Sequence, residues 1–179
     1  MIAAPMAERS LVGALVAMGS NLAPERNLPA AVRLLVERVA TLRVSSAWAT
    51  APVGPPGQPP FVNAALWLET SLGPAGLKRE LRGVESRLGR VRTADRFAPR
   101  PIDLDLVAYG DLELAVDGEV LPDPDLLRYA HIAAPAAEVA PDWIHVGTGE
   151  RLAAIADRLV AALPESQRPR RLELPLAAG

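Results

Sequence analysis

Pro101-Ile102-Asp103-Leu104-Asp105-Leu106-Val107-Ala108-Tyr109-Gly110 begins by alternating apolar and acidic side chains and then becomes wholly apolar. Alternation with a period of two is the mark of a strand, whose successive side chains face opposite sides. The stretch predicts a strand from Ile102 to Tyr109. Ile102, Leu104 and Leu106 would face a core, and both carboxylates would face away from it, roughly 7 Å apart at about 3.3 Å per residue. Upstream, Leu77, Leu81, Val84 and Leu88 recur with helical spacing after Pro74, a residue suited to a first helical turn. A polar, arginine-rich loop separates that helix from the strand. Further back, Phe61 to Leu68 and Arg43 to Trp48 read as strands. The loop between them holds Pro52, Pro55, Pro56, Pro59 and Pro60, too much proline for helix or sheet. Asn27 to Val39 carries Leu28, Val32, Leu35 and Val39 on one helical face, and Leu11 to Met18 reads as a buried strand.

The resulting order, βαββαβ, predicts an α+β fold with a ferredoxin-like core: a mostly antiparallel sheet with helices on its faces, a three-layer α/β/α sandwich. The final third is expected to add short strands, a turn at Leu121-Pro122-Asp123-Pro124 and a last helix over Leu152 to Leu163. The chain of 179 residues fits a single domain, with its core over about residues 11–163. The tail at 164–179, with Pro, Gln and three arginines, is expected to be poorly ordered or draped on the surface.

Composition narrows the function classes. The chain has no cysteine, which excludes a disulfide scaffold, a thiolate metal site and a cysteine nucleophile, and fits a cytoplasmic location. Its net charge of −2 argues against a general nucleic-acid binder. The apolar run Leu11 to Met18 is too short to span a bilayer and lacks an A-x-A-like cleavage site, so no membrane partner is expected. Lys78 is the only lysine among 19 basic residues, and seven arginines crowd between Arg79 and Arg100. Arginine offers a planar charged fork that matches phosphate oxygens in pairs. Compositional bias explains a preference for arginine over the whole chain, but not this crowding.

Asp103 and Asp105 alone could be two ordinary acids on a solvated strand edge. Arg90, Arg92, Arg96 and Arg100 just before them change that reading. Paired carboxylates repel unless a cation lies between them, and hard oxygen ligands suit Mg²⁺, which completes its shell with water and phosphate oxygens. Guanidinium groups facing such a pair describe a polyphosphate site, in which they take up charge developing in the transition state.

The same residues carry a resemblance. Gly89-Arg90-Val91-Arg92, Arg96, Pro99-Arg100 and Ile102-Asp103-Leu104-Asp105 followed by Tyr109-Gly110 resemble the signature of the hydroxymethyl-dihydropterin pyrophosphokinase family. Met18-Gly19-Ser20-Asn21-Leu22 resembles its first strand and turn. Ser45-Ser46, Thr50, Pro52, Gly54, Gln58 and Phe61-Val62-Asn63-Ala64 resemble its pterin segment. Leu121-Pro122, Pro135, Glu138 and Ala140-Pro141-Asp142-Trp143 resemble its C-terminal block. The resemblance spans roughly residues 12 to 143. It implies transfer of a diphosphate from ATP-Mg²⁺ to the hydroxymethyl group of 6-hydroxymethyl-7,8-dihydropterin, with release of AMP, in folate biosynthesis. Asp103 and Asp105 would bind two Mg²⁺ ions, and Arg90 and Arg100 would stabilise the transferring group. Glu85, Arg92, Arg96, Phe97, Leu106, Asp123 and Tyr129 would line the ATP side. Thr50, Ala51, Val53, Phe61, Asn63 and His131 would take the pterin, with Phe61 as a stacking face and Asn63 as a paired donor and acceptor. The implied partners are these small molecules, and association with neighbouring folate-pathway enzymes is compatible with them.

The C-terminal block departs from the family pattern. Asp123 stands where the family has a histidine, and Tyr129 and His131 stand where it has an arginine and a phenylalanine; Arg128 could substitute after a one-residue shift. Phe97 replaces a tryptophan. These departures bear on nucleotide affinity and leave open a non-catalytic pterin- or nucleotide-binding paralogue. A ferredoxin-like RNA-binding module is a third reading; it lacks its glycine-aromatic signature and a basic charge.

Overall fold

The computed structural model describes residues 10–50, 60–91 and 98–176. Strand β1, Val12–Ser20, lies inside a six-stranded sheet. It pairs on one side with β5, Asp103–Tyr109, and on the other with β4, Phe61–Thr70. The far side of β4 carries two short strands, β2 (Thr41–Val44) and β3 (Ala47–Thr50). Every one of these pairings is antiparallel. This is the order that a βαββαβ unit produces when each crossover helix carries the chain past a neighbouring strand.

The strand expected over Arg43 to Trp48 is in fact two. Ser45 N–H donates to Ala65 O, while the Ser45 hydroxyl accepts from Ala65 N–H at 2.8 Å. A side chain thus does the work of a backbone carbonyl, and the ladder breaks there. The first helix, α1, spans Pro24–Val36, three residues earlier at both ends than its apolar spacing suggests, with Pro24 in the first turn. The second, α2, spans Pro74–Arg87.

Both helices cover one face of the sheet. Leu28, Ala31, Val32 and Leu35 from α1, and Leu77, Leu81 and Val84 from α2, meet Val16, Met18, Leu66, Leu104 and Leu106. Against the opposite face pack α3, Ala130–Val139, and α4, Leu152–Ala161, around Leu15, Ala65, Val107 and Ala108. The three-layer α+β sandwich expected from the sequence is the observed one. Helix α3 was not expected. Its Ala-rich sequence has little polar contrast between faces, and Pro135 sits inside it.

A two-residue hairpin joins β6 (Leu114–Val116) to β7 (Glu119–Leu121). Asp117 and Gly118 both have positive φ there, as a tight primed turn requires. The lone lysine, Lys78 of α2, is buried and ion-paired with Glu119, which ties this hairpin to α2. The tail departs from expectation. Arg170–Leu172 forms β8, which pairs with β3 as a further strand of the sheet, and Leu176 is buried in the α1/α2 core. Apolar residues at Leu174 and Leu176 anchor what the tail's charge and proline suggested would be loose.

Candidate active site

Register places the site. Gly19 of β1 lies opposite Asp103 on one side and Asn63 on the other, and Ala17 lies opposite Asp105 and Ala65. Partners across an antiparallel ladder share a face, so Asn63, Gly19 and Asp103 form one row across three strands. At about 4.8 Å per strand, the amide and the carboxylate stand roughly 10 Å apart with a bare glycine between them. A Cβ on Gly19 would lie 3.0 Å from Asn63 Oδ1 and 3.6 Å from the Phe61 ring. The missing side chain is the floor of a cavity of about 440 Å³. Thr50, Phe61 and Asn63 line one side of it, and Arg100, Asp103 and Asp105 another; Asp123, Asp125 and Tyr129 come from the segment leading into α3, and His131 and Ile132 from its first turn.

A β-bulge follows the acidic pair. Val16 faces Leu106 and Leu15 faces Ala108, which leaves Val107 without a partner on β1. Val107 O instead accepts from Asp123 N–H at 2.7 Å, so the bulge fastens the turn before α3 to the strand that bears the carboxylates.

Two arginines hold Asp103. Arg90 Nη1 contacts Asp103 Oδ1, and Arg100 Nη1 contacts Oδ2 at 2.5 Å. Arg90 is in turn fixed from α2. Gly89, with φ +83°, lets Arg90 N–H reach back to Glu85 O and Gly89 N–H to Ser86 O, a helix-ending pair of bonds that aims the next residue toward β5. Glu85 Oε1 accepts from Arg90 Nη1 at 2.5 Å and from Leu104 N–H at 2.9 Å. Arg100 is held by its backbone: its N–H donates to Asn21 Oδ1 at 2.7 Å, and Asn21 N–H donates back to Arg100 O.

Confinement pushes the Asp105 carboxyl from 3.8 up to about 7, and the negative charges of Asp103 and Glu85 add to the rise while Arg90 opposes it. The side chain still meets solvent inside the cavity, so a cation can reach it. Burial also raises Asp123, whose carboxylate caps the short 3-10 turn Pro124–Leu127 by accepting from Asp125 N–H. Burial lowers His131, with Asp125 opposing, so its ring is neutral at pH 7. The His131 ring lies 5.3 Å from that of Tyr129, tilted by 34°. Asn63 Nδ2 donates to Thr50 Oγ1 at 2.7 Å, which fixes both side chains on the cavity wall.

The structure therefore gathers Thr50, Phe61, Asn63, Arg100, Asp103, Asp105, Asp123, Tyr129 and His131 around one cavity, with Arg90 directly behind Asp103. Ala51, Val53, Arg92, Arg96 and Phe97 lie outside the described residues. Glu85 and Leu106, expected on the ATP side, do not line the cavity. Glu85 is buried and spent on Arg90 and a backbone N–H, and Leu106 faces the core on the sheet's other side. Asn21, Gly19 and Glu138 were not assigned roles from sequence. Their types suit turns and surfaces as well as sites, and only register reveals what they touch. Among the described residues no three acidic or imidazole side chains gather as a metal cage. Two neighbouring carboxylates, one of them with a pKa raised by burial and by the acids beside it, nonetheless fit a hard cation that takes its remaining ligands from water and phosphate.

The family model for 7,8-dihydro-6-hydroxymethylpterin-pyrophosphokinase matches residues 15–141, which span every strand and loop of this cavity. The chain belongs to that family. Its members are pyrophosphokinases, and so is this chain. The 2-amino-4-hydroxy-6-hydroxymethyldihydropteridine pyrophosphokinase of Pseudomonas aeruginosa is 36% identical over 152 residues, 83% of this chain and 90% of its own length. That of Synechocystis sp. is 33% identical over 150 residues, 82% of this chain and 76% of its own. The folic acid synthesis protein fol1 of Pneumocystis carinii is 31% identical over 81% of this chain but only 20% of its own length. The Plasmodium falciparum HPPK-DHPS crystal structure superposes with a TM-score of 0.69 over 93% of this chain at 10% identity, a likeness of fold alone. The chain spans about half the length of that structure, 49%. Among the described residues no helix is long and apolar enough to cross a membrane.

Proposed function

We propose that this pyrophosphokinase carries a diphosphate from ATP to the hydroxymethyl oxygen of 6-hydroxymethyl-7,8-dihydropterin in folate biosynthesis. The observation that supports it most is the row Asn63, Gly19, Asp103. It sets an amide with a neighbouring aromatic face at one end of a bare floor and a carboxylate gripped by two arginines at the other. A flat heteroaromatic ring with an amide-like edge suits Phe61, Asn63 and Thr50. Its hydroxymethyl arm would then extend along Gly19 toward Asp103.

Asp103 and Asp105 would hold Mg²⁺, which when bound draws charge from the phosphate oxygens. Arg90 and Arg100, already converging on Asp103, would turn toward the phosphates as negative charge builds there. The hydroxymethyl oxygen bonds to the β-phosphorus and gives up its proton to water, while the bond from that phosphorus to the α-bridging oxygen breaks, and AMP departs with that oxygen. Such a transfer depends on alignment and charge more than on a strong base. Neutral His131 offers a second flat face without adding charge. The two cores share one sheet, which supports reading residues 1–179 as a single catalytic domain, and we place it in the cytoplasm. The fused names HPPK-DHPS and "folate synthesis bifunctional protein" among its relatives support association with other folate-pathway enzymes.

The test is direct. Incubation with ATP, Mg²⁺ and the hydroxymethyl-dihydropterin should release AMP in step with pterin diphosphate. Release of ADP would overturn the assignment of the β-phosphorus. Tight binding of both ligands without AMP would indicate the non-catalytic paralogue instead.

A further inference from the structure

The tail segment from Arg170 to Leu176 lies beyond the part of the chain that the family model matches, yet it pairs with β3, the strand that brings Thr50 to the cavity wall. Strand β8 lies against β3, with Ala47 opposite Leu172, Trp48 opposite Arg171 and Ala49 opposite Arg170. On its other side, Trp48 lies opposite Asn63 and Thr50 opposite Phe61. A chain of lateral partners therefore runs from Arg171 through Trp48 to Asn63, the amide that donates to Thr50.

Side chains reinforce that chain. The Arg171 guanidinium sits over the Trp48 indole, 5.1 Å from the ring centre. It also pairs with Glu138 of α3, whose other oxygen accepts from Ser46 N–H at 2.6 Å, at the break between β2 and β3. The Trp48 indole N–H is buried and finds no hydrogen-bond partner among the described residues, so packing under Arg171 is what sets the ring's position. Two residues past Leu174, buried Leu176 anchors the end of the segment in the core under the sheet's opposite face.

We infer that Arg170 to Leu176 is a strap that holds β3 in register, and that Arg171 is its positioning residue for the wall formed by Thr50, Phe61 and Asn63. The inference rests on the reading of that wall as the pterin side. Arg171 touches no cavity residue directly; it acts by fixing Trp48 and, through Glu138, the backbone at Ser46. Without it β3 keeps its pairing with β4 but loses what sets its outer face.

The experiment compares wild type, Arg171→Ala, Arg171→Lys and a chain ending at Leu163. The readouts are steady-state kinetics in both substrates and hydrogen exchange at the amides of Ala47 to Thr50. Arg171→Ala should raise KM for the pterin about three- to tenfold, with kcat and KM for ATP within about twofold. Arg171→Lys keeps a charge for Glu138 but loses the flat stacking group, and should fall between. Exchange at Ala47 to Thr50 should quicken in Arg171→Ala while amides of α2 stay as they are. The shortened chain should exceed Arg171→Ala in both respects; should it fail to fold, the single substitutions decide. An unchanged pterin KM in folded Arg171→Ala overturns the positioning role, even if exchange quickens. Should wild type show no pterin turnover, the functional reading falls instead, and exchange alone judges the strap: unchanged rates at Ala47 to Thr50 overturn it.

Discussion

Asp105 shows how a site can work against its own fold. Its carboxyl is raised from 3.8 to about 7 by confinement first and by the charges of Asp103 and Glu85 next. A folded-state pKa above the unfolded one means the native protein keeps a proton that the unfolded chain has lost. Stability from this group is thus intact below about 3.8, declines as pH rises, and reaches its floor above about 7. Asp105→Asn removes the charge but keeps the shape. At pH 8 it should stabilise the ligand-free protein by about 1 kcal/mol, discounted for the solvent the side chain still meets. That is about 2–4 °C in Tm for a chain of this size. At pH 4 the gain should vanish, and AMP release should be lost at either pH. Equal unfolding temperatures for the two proteins at pH 8 would show that the crowding is not felt. Asn21 tests a neighbouring point. Asn21→Ala removes the acceptor of the Arg100 N–H and should lower kcat roughly tenfold while leaving pterin KM nearly unchanged. Asn21→Asp keeps that acceptor and should lose less; an equal fall in both would mean that Arg100 is held some other way.

At the scale of elements, position follows from how each one ends. Helix α2 stops at Gly89, whose φ of +83° lets Arg90 N–H close on Glu85 O and turns the Arg90 side chain toward Asp103. A Cβ at Gly89 would meet no atom within 4 Å, so Gly89→Ala isolates the cost of left-handed backbone. It should destabilise by about 1 kcal/mol and lower kcat more than Gly83→Ala, a control on the same helix with equally open space. Matched kinetics in the two variants would show that the helix end does not aim Arg90. The elements legible in the sequence were those with a clear apolar run or period: β1, β4, β5, α2 and, with shifted bounds, α1 and α4. The carboxylate pair was legible because strand geometry leaves one choice of face once Leu104 and Leu106 are assigned to the core. Helix α3 was not, because alanine carries little information about which side is buried. Strand β8 was not, because an edge strand of three exposed residues has no apolar alternation to reveal it. The roles of Glu85 and Asn21 needed tertiary register, since each acts on a partner, Leu104 or Arg100, that local pattern cannot supply.

Seen across the whole molecule, the cavity poses an electrostatic problem. Asp103, Asp105, Asp123 and Asp125 line it, against Arg100 among the described residues, and the entire chain carries a net charge of −2. A triphosphate entering alone would meet four carboxyls at close range, where repulsion is only weakly screened by salt. Arg90 and Arg100 cannot relieve this by themselves, because both are engaged with Asp103. A divalent cation resolves both difficulties at once. It replaces the arginines as the counter-charge to Asp103, and it frees them to face the phosphates. Nucleotide binding should therefore depend on the metal far more steeply than charge neutralisation in solution would require. With a non-hydrolysable ATP analogue at about a hundred times its Kd, Mg²⁺ should raise stability by about 3 kcal/mol, or roughly 5–10 °C in Tm. Excess EDTA should remove that shift almost entirely, and Asp103→Ala should reduce it even with Mg²⁺ present. A nucleotide-induced shift that survives EDTA would mean that the arginines alone hold the phosphates, and that the paired aspartates serve the protein in some way other than gripping a cation.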